Sequence, residues 1–174
     1  MKTLLLLILF FSSNSIYSQT DSVSYIQLIE RYINTYEQDS LEADIYSLEL
    51  DGYYTKKKFK FFNKTIGGFS DYLGYNEKNK ILFNFKHGER YFNIKKYPNV
   101  FYDSYYKEGN LIKYYKETES KKYTYITTAY FNKNELISLE TNDPNFTVNE
   151  IYNHDKAVKK YFEEHLIAQE KRYK

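Results

Sequence analysis

Three side chains in this sequence have an ordinary pKa near neutrality, and all three are histidines: His87, His154 and His165. His154 is followed by Asp155, an acid/base couple by composition. Neighbours in sequence do not aim at one target, however, so Asp155 is expected to cap a helix. Glu163-Glu164-His165 lacks the second histidine, one helical turn away, that the zinc-protease motif requires. His165 is therefore expected in a core, beside Leu166. His87 precedes Gly88 and reads as a solvated turn residue. Cysteine is absent, which excludes disulfides, thiolate metal sites and cysteine nucleophiles. There is no Gly-x-Ser-x-Gly elbow and no glycine-rich phosphate loop. The 23 acidic residues leave a hydrolytic carboxylate pair open. No catalytic residue, metal ligand or cofactor is assigned, and a hydrolase using His154 stands only as a third reading.

The aromatic residues carry more. Tyr53-Tyr54, Phe61-Phe62, Tyr91-Phe92, Phe101-Tyr102, Tyr105-Tyr106, Tyr114-Tyr115 and Tyr130-Phe131 are doublets inside segments that read as strands. Successive strand residues point to opposite faces, so each doublet puts a ring on both sides of a sheet. One side packs under helices. The other is expected to show tyrosines with lysines between them, a surface suited to a glycan or a protein partner. The candidate binding residues are Tyr102, Tyr106, Tyr114, Tyr115 and Tyr125. The abundance of Tyr, 22 residues, is not itself evidence, because Lys, Asn, Ile, Tyr and Phe all follow from AT-rich codons. A net charge of +2 gives no basis for nucleic-acid binding. The first reading is thus a non-catalytic binding module; the alternative is a carrier holding an apolar ligand between a curved sheet and a helix.

Positioning these residues requires three kinds of element. Ser22 to about Gln38 repeats apolar residues at helical spacing (Tyr25, Ile29, Ile33, Tyr36), with Asp21 or Ser22 as cap. A further helical turn is expected at Leu41 to Asp44. From Ile45 to Thr141 the period changes to two, as in Ile81, Phe83, Phe85 and in Tyr123, Tyr125, Thr127. Asp51-Gly52 and His87-Gly88 read as turns, Phe92 and Ile94 as strand, and Lys56-Lys57-Lys58 as a guarded sheet edge. Thr147 and Glu150 have capping-box spacing. Val158, Tyr161, Phe162, His165, Leu166 and Gln169 then form one stripe, with an interruption expected at Asn153-His154-Asp155. The fold class is α+β: an N-terminal helix, a curved antiparallel meander of about seven to nine strands, and a C-terminal amphipathic helix on one face.

A degenerate unit recurs within the meander. Tyr105-Tyr106-Lys107-Glu108-Gly109-Asn110-Leu111-Ile112 matches the eight residues from Tyr130 to Ile137 and those from Tyr75 to Leu82. Its fifth position is Gly109, Asn134 or Asn79, the types that enter the left-handed region most cheaply, and the unit reads as a hairpin on a type I turn with a bulge. It resembles the aromatic-Gly-aliphatic hairpins of MORN-like repeat proteins over these three stretches, two of which lack the glycine. That resemblance implies hairpins and no function.

Ahead of all this lies a leader pattern: Lys2, the apolar run Leu4 to Phe11, then polar Ser12 to Ser15. The run is too short to span a bilayer. Cleavage is expected after Ser18, leaving a single α+β domain, Gln19 to Lys174, exported to the periplasm or secreted, without an integral membrane segment.

Overall fold

The computed structural model describes residues 22–37, 45–59, 62–76 and 78–172. The leader, its cut after Ser18 and the turn expected at Leu41 to Asp44 lie outside them. The chain divides between Ala43 and Asp44 into two compact units. Within the first, helix α1 covers 22–37, with Ile29 and Ile33, one turn apart, as its buried positions.

The second unit is one open, curved antiparallel sheet in strict sequence order: β1 (Ile45–Phe59), β2 (Phe62–Asn76), β3 (Ile81–Tyr91), β4 (Asn99–Lys107), β5 (Asn110–Glu119), β6 (Thr124–Asn132) and β7 (Glu135–Thr141). Helix α2 (Val148–Arg172) packs on one face. The α+β meander therefore holds, with seven strands, and its limits fall at Ile45 and Thr141 as the change of period indicates. Lys56 and Lys57 are exposed on β1, an edge strand, where lysines discourage pairing with another sheet.

Two expected turns are strand interior. Asp51-Gly52 lies within β1 and His87-Gly88 within β3. In both, an aromatic ring from the next strand lies where a side chain would otherwise project: Phe69 over Gly52 and Phe101 over Gly88. Cross-strand packing overrides the local turn signal. Conversely, Phe92 and Ile94 leave the sheet: Phe92 is exposed, and Lys96 and Tyr97 amides both return to the Asn93 carbonyl in a turn.

Two copies of the repeat share one turn, whose mechanism differs from the expected one; in the third, between β2 and β3, the left-handed residue is Lys80 (φ 55°) and not Asn79. Glu108 and Gly109 both have positive φ (52° and 76°), as do Lys133 and Asn134 (48° and 70°). These are two-residue turns with both centres left-handed, the type whose twist matches that of the flanking strands. The register shift comes just before the turn, at Tyr105/Tyr106 and Tyr130/Phe131, and again at Gly74/Tyr75 in the β2–β3 hairpin. Each shift is followed by a fully buried aromatic: Tyr75, Tyr106 or Phe131. Phe131 meets Tyr152, Tyr106 meets Lys159, and Tyr75 meets Phe162 and His165. The hairpins thus deliver one ring each along α2, which crosses the sheet from β6 towards β2.

Helix α2 begins as its capping box indicates: the Thr147 amide donates to Glu150 Oε1 at 3.3 Å. It runs unbroken through Asn153-His154-Asp155. Asp155 is not a cap. It sits one turn before Lys159 and pairs with it at 2.9 Å, while its other oxygen faces the buried Tyr106 hydroxyl. Ile151, Val158 and Phe162 seal the core with Leu73, Tyr114 and Ala129.

Candidate functional site

Antiparallel pairing places directly opposed residues on one face, so the register spells out rows across the sheet. On the face under α2 one row reads Leu48, Leu73, Phe85, Ser104, Tyr114, Ala129, Leu139. It is apolar except at Ser104. The next row, one pleat along, reads Leu50, Asp71, His87, Tyr102, Lys116, Thr127, Thr141. This second row is polar from Asp71 onward, after Leu50 on β1, and it marks the edge of the helix's cover.

A cleft of about 300 Å³ opens between that row and α2. The sheet lines it with Asp71, Phe85, His87 and Tyr102. The helix contributes His154, Ala157, Val158 and Tyr161, a stripe at spacings of three and four. Ala157 leaves space where a larger residue would close the gap.

The polar groups are tightly organised. His87 Nδ1 bonds to Asp71 Oδ1, and its Nε2 lies 3.5 Å from Glu89 Oε1. Glu89 also accepts from two phenols, Tyr54 at 2.7 Å and Tyr91 at 3.3 Å. Those two rings stack 5.3 Å apart across Gly67. A side chain at Gly67 would collide with the Arg90 carbonyl, at 2.4 Å, so glycine is what allows the stack. Burial raises the Tyr54 hydroxyl, and the Glu89 carboxylate adds to it. Tyr161 is raised likewise, by burial first and then by facing Asp71. Farther along the row, Lys116 Nζ donates to Glu150 Oε2 of α2 at 2.9 Å.

His154 joins the two rows. Its Nε2 shares a 2.8 Å hydrogen bond with Ser104 Oγ, and its ring stacks on Tyr102 at 4.8 Å and meets Tyr114 edge-on at 5.2 Å. Burial, then the nearby His87 and Lys116, push its pKa down to about 4. It is neutral at physiological pH. The serine–histidine contact does not make a nucleophile, because Ser104 is 0% exposed and no substrate carbonyl reaches it. Lys107 follows at Ser-x-x-Lys spacing, but it stands exposed at the β4–β5 hairpin. Among the described residues no three metal-ligating side chains converge.

The five candidate tyrosines do not share one surface. Tyr102 lines the cleft. Tyr106 and Tyr114, 0% and 1% exposed, are buried under α2. Tyr125 lies on the same side of the sheet, opposite Thr118, and stacks on Tyr123 at 4.3 Å. Tyr115 alone points to the other face, where its hydroxyl donates to Glu117 and its pKa rises to about 12 through burial and that carboxylate. Tyrosine–lysine contacts do occur on that other face: Lys86 lies over Tyr105, and Lys113 lies over Tyr105 and Tyr130. Sequence reasoning missed Asp71, His87 and Tyr161 as partners. It also put His154 at a helix break, although His154, Val158 and Tyr161 already stand at helical spacing.

Compared with known proteins, the chain matches no family model, no curated protein and no solved structure. Among the described residues no helix is long and apolar enough to cross a membrane.

Proposed function

We propose that this protein is a non-catalytic module that binds a small ligand in the cleft between the sheet and α2, and that it acts after export, once the leader through Ser18 is removed. One observation carries the reading: a cleft of about 300 Å³ walled by Phe85, Tyr102 and the hydrogen-bonded Asp71–His87 pair, and roofed by a helix stripe opened at Ala157. Ligand sites are of this kind, concave and mostly apolar with a few fixed polar groups. A non-catalytic role fits the burial of Ser104 and the neutral, stacked His154 better than a hydrolase does. The Tyr/Lys face remains the proposal for a glycan or protein partner, carried by the lysine–tyrosine contacts opposite α2.

The test is ligand-induced chemical-shift mapping with a mixed panel of small cations, neutral molecules and anions, together with a xylo- and gluco-oligosaccharide set. Shifts centred on His87, Tyr102, His154 and Tyr161 are expected for part of the panel. Silence at these residues overturns the cleft reading. Shifts centred instead on Tyr105, Tyr115 and Tyr130 transfer the function to the opposite face.

A further inference from the structure

The charges around the cleft select among ligand classes. From β2 comes the Asp71 carboxylate; from β3 come His87 and Glu89; from β5 comes Lys116; from α2 come Glu150 and His154. Lys116 is matched by Glu150 at 2.9 Å, so that pair contributes no net charge. Asp155, on the same helix, is matched by Lys159. Burial keeps His154 neutral. What remains is one imidazole between two carboxylates. Whether His87 carries one proton or two, the sum is negative, because a single cation cannot cancel both Asp71 and Glu89.

An anionic ligand would meet that negative sum directly. A neutral apolar ligand would strip water from Asp71 and return nothing to it. Asp71 uses Oδ1 for His87, and its Oδ2 carries no hydrogen bond among the described residues. Around it stand Phe85, Tyr102 and Tyr161, with Phe85 and Tyr161 inclined at 70° to each other. Aromatic rings beside a carboxylate attract an organic cation through the negative ring face as well as through charge.

We propose, building on the cleft reading above, that the cleft takes a small organic monocation, an alkyl- or aryl-ammonium whose head lies against Asp71 and whose apolar body lies among Phe85, Tyr102 and Tyr161. The probes are choline, its uncharged carbon isostere 3,3-dimethylbutanol, and the anion 3,3-dimethylbutanoate, titrated against the whole chain with chemical shifts as readout. Choline is expected to shift the cleft residues and to bind about tenfold or more tighter than the isostere, with no binding of the anion. Asp71→Asn, which keeps the side chain's shape, is expected to remove most of that preference. Ala157→Leu, a change at an exposed position of the cleft's rim, is expected to block choline and the alcohol while the spectrum stays folded. The inference is overturned if the alcohol or the carboxylate binds the cleft as tightly as choline, or if Asp71→Asn leaves choline's affinity unchanged; either result leaves the cleft reading intact. Choline binding that survives Ala157→Leu places it elsewhere and also overturns the inference. Silence of all three probes overturns it too, and the cleft reading falls with it only if the wider panel is silent as well.

Discussion

Two neighbouring rows on one face of the sheet were given different work. The row through Leu73, Phe85, Tyr114 and Ala129 is sealed by Ile151, Val158 and Phe162 and holds the helix down. The row through Asp71, His87, Tyr102 and Lys116, one pleat away, meets the same helix with hydrogen bonds, an ion pair and a gap. That row anchors the helix together with the rings of Tyr75, Tyr106 and Phe131, so the polar row is not needed for the apolar seal. The period of two that builds strands therefore also separates an apolar row from a polar row along a single face.

That contrast breaks most visibly in the apolar row. Tyr114→Ala empties a site that is 1% exposed and is expected to cost about 4 kcal/mol in urea unfolding. Asp71→Asn in the polar row, by contrast, is expected to cost about 1 kcal/mol. Near-equal losses would mean that the rows do not divide the work.

His154 bridges the rows and supplies the next largest effect. Its pKa falls from an ordinary 6.5 to about 4 in the folded chain, through burial first and then through His87 and Lys116. Between those values the unfolded chain holds the extra proton. Stability is therefore complete above pH 6.5 and declines as pH falls towards 4, by about 3 kcal/mol in all. His154→Gln is expected to flatten that limb of the stability profile, measured by denaturant titration across the same pH range. A limb that persists in the variant assigns the loss to other groups.

The smallest effect sharpens the comparison from outside both rows. Lys133 holds a φ of 48° at a turn where glycine is unstrained. Lys133→Gly is expected to change stability by about 0.5 kcal/mol or less, the relief of strain offset by the added freedom of the unfolded chain. Shifts at the cleft should be nil.

The frame was largely legible. Alternation of aromatic and polar residues marked the sheet from Ile45 to Thr141, and Thr147 with Glu150 marked the start of α2. The two false turns, Asp51-Gly52 and His87-Gly88, show what local reading lacks. Phe69 and Phe101 lie over these glycines only after strands distant in sequence have paired. The candidate site was less legible for the same reason. Asp71, His87 and Tyr102 become neighbours through register alone, and His154 reaches them because α2 crosses the strands at an angle that no residue pattern states. The doublet rule correctly sent the members of Tyr114-Tyr115 to opposite faces, yet which face the helix would take was not written in the doublet.

Because every strand in the sheet pairs with its chain neighbour, the meander can assemble hairpin by hairpin in chain order. Helix α2 follows β7 in chain order, and it brings half of the residues that enclose the cleft. The cleft is consequently the last feature of this unit to take shape when the chain folds in that order, because it has no roof until α2 follows the seven strands.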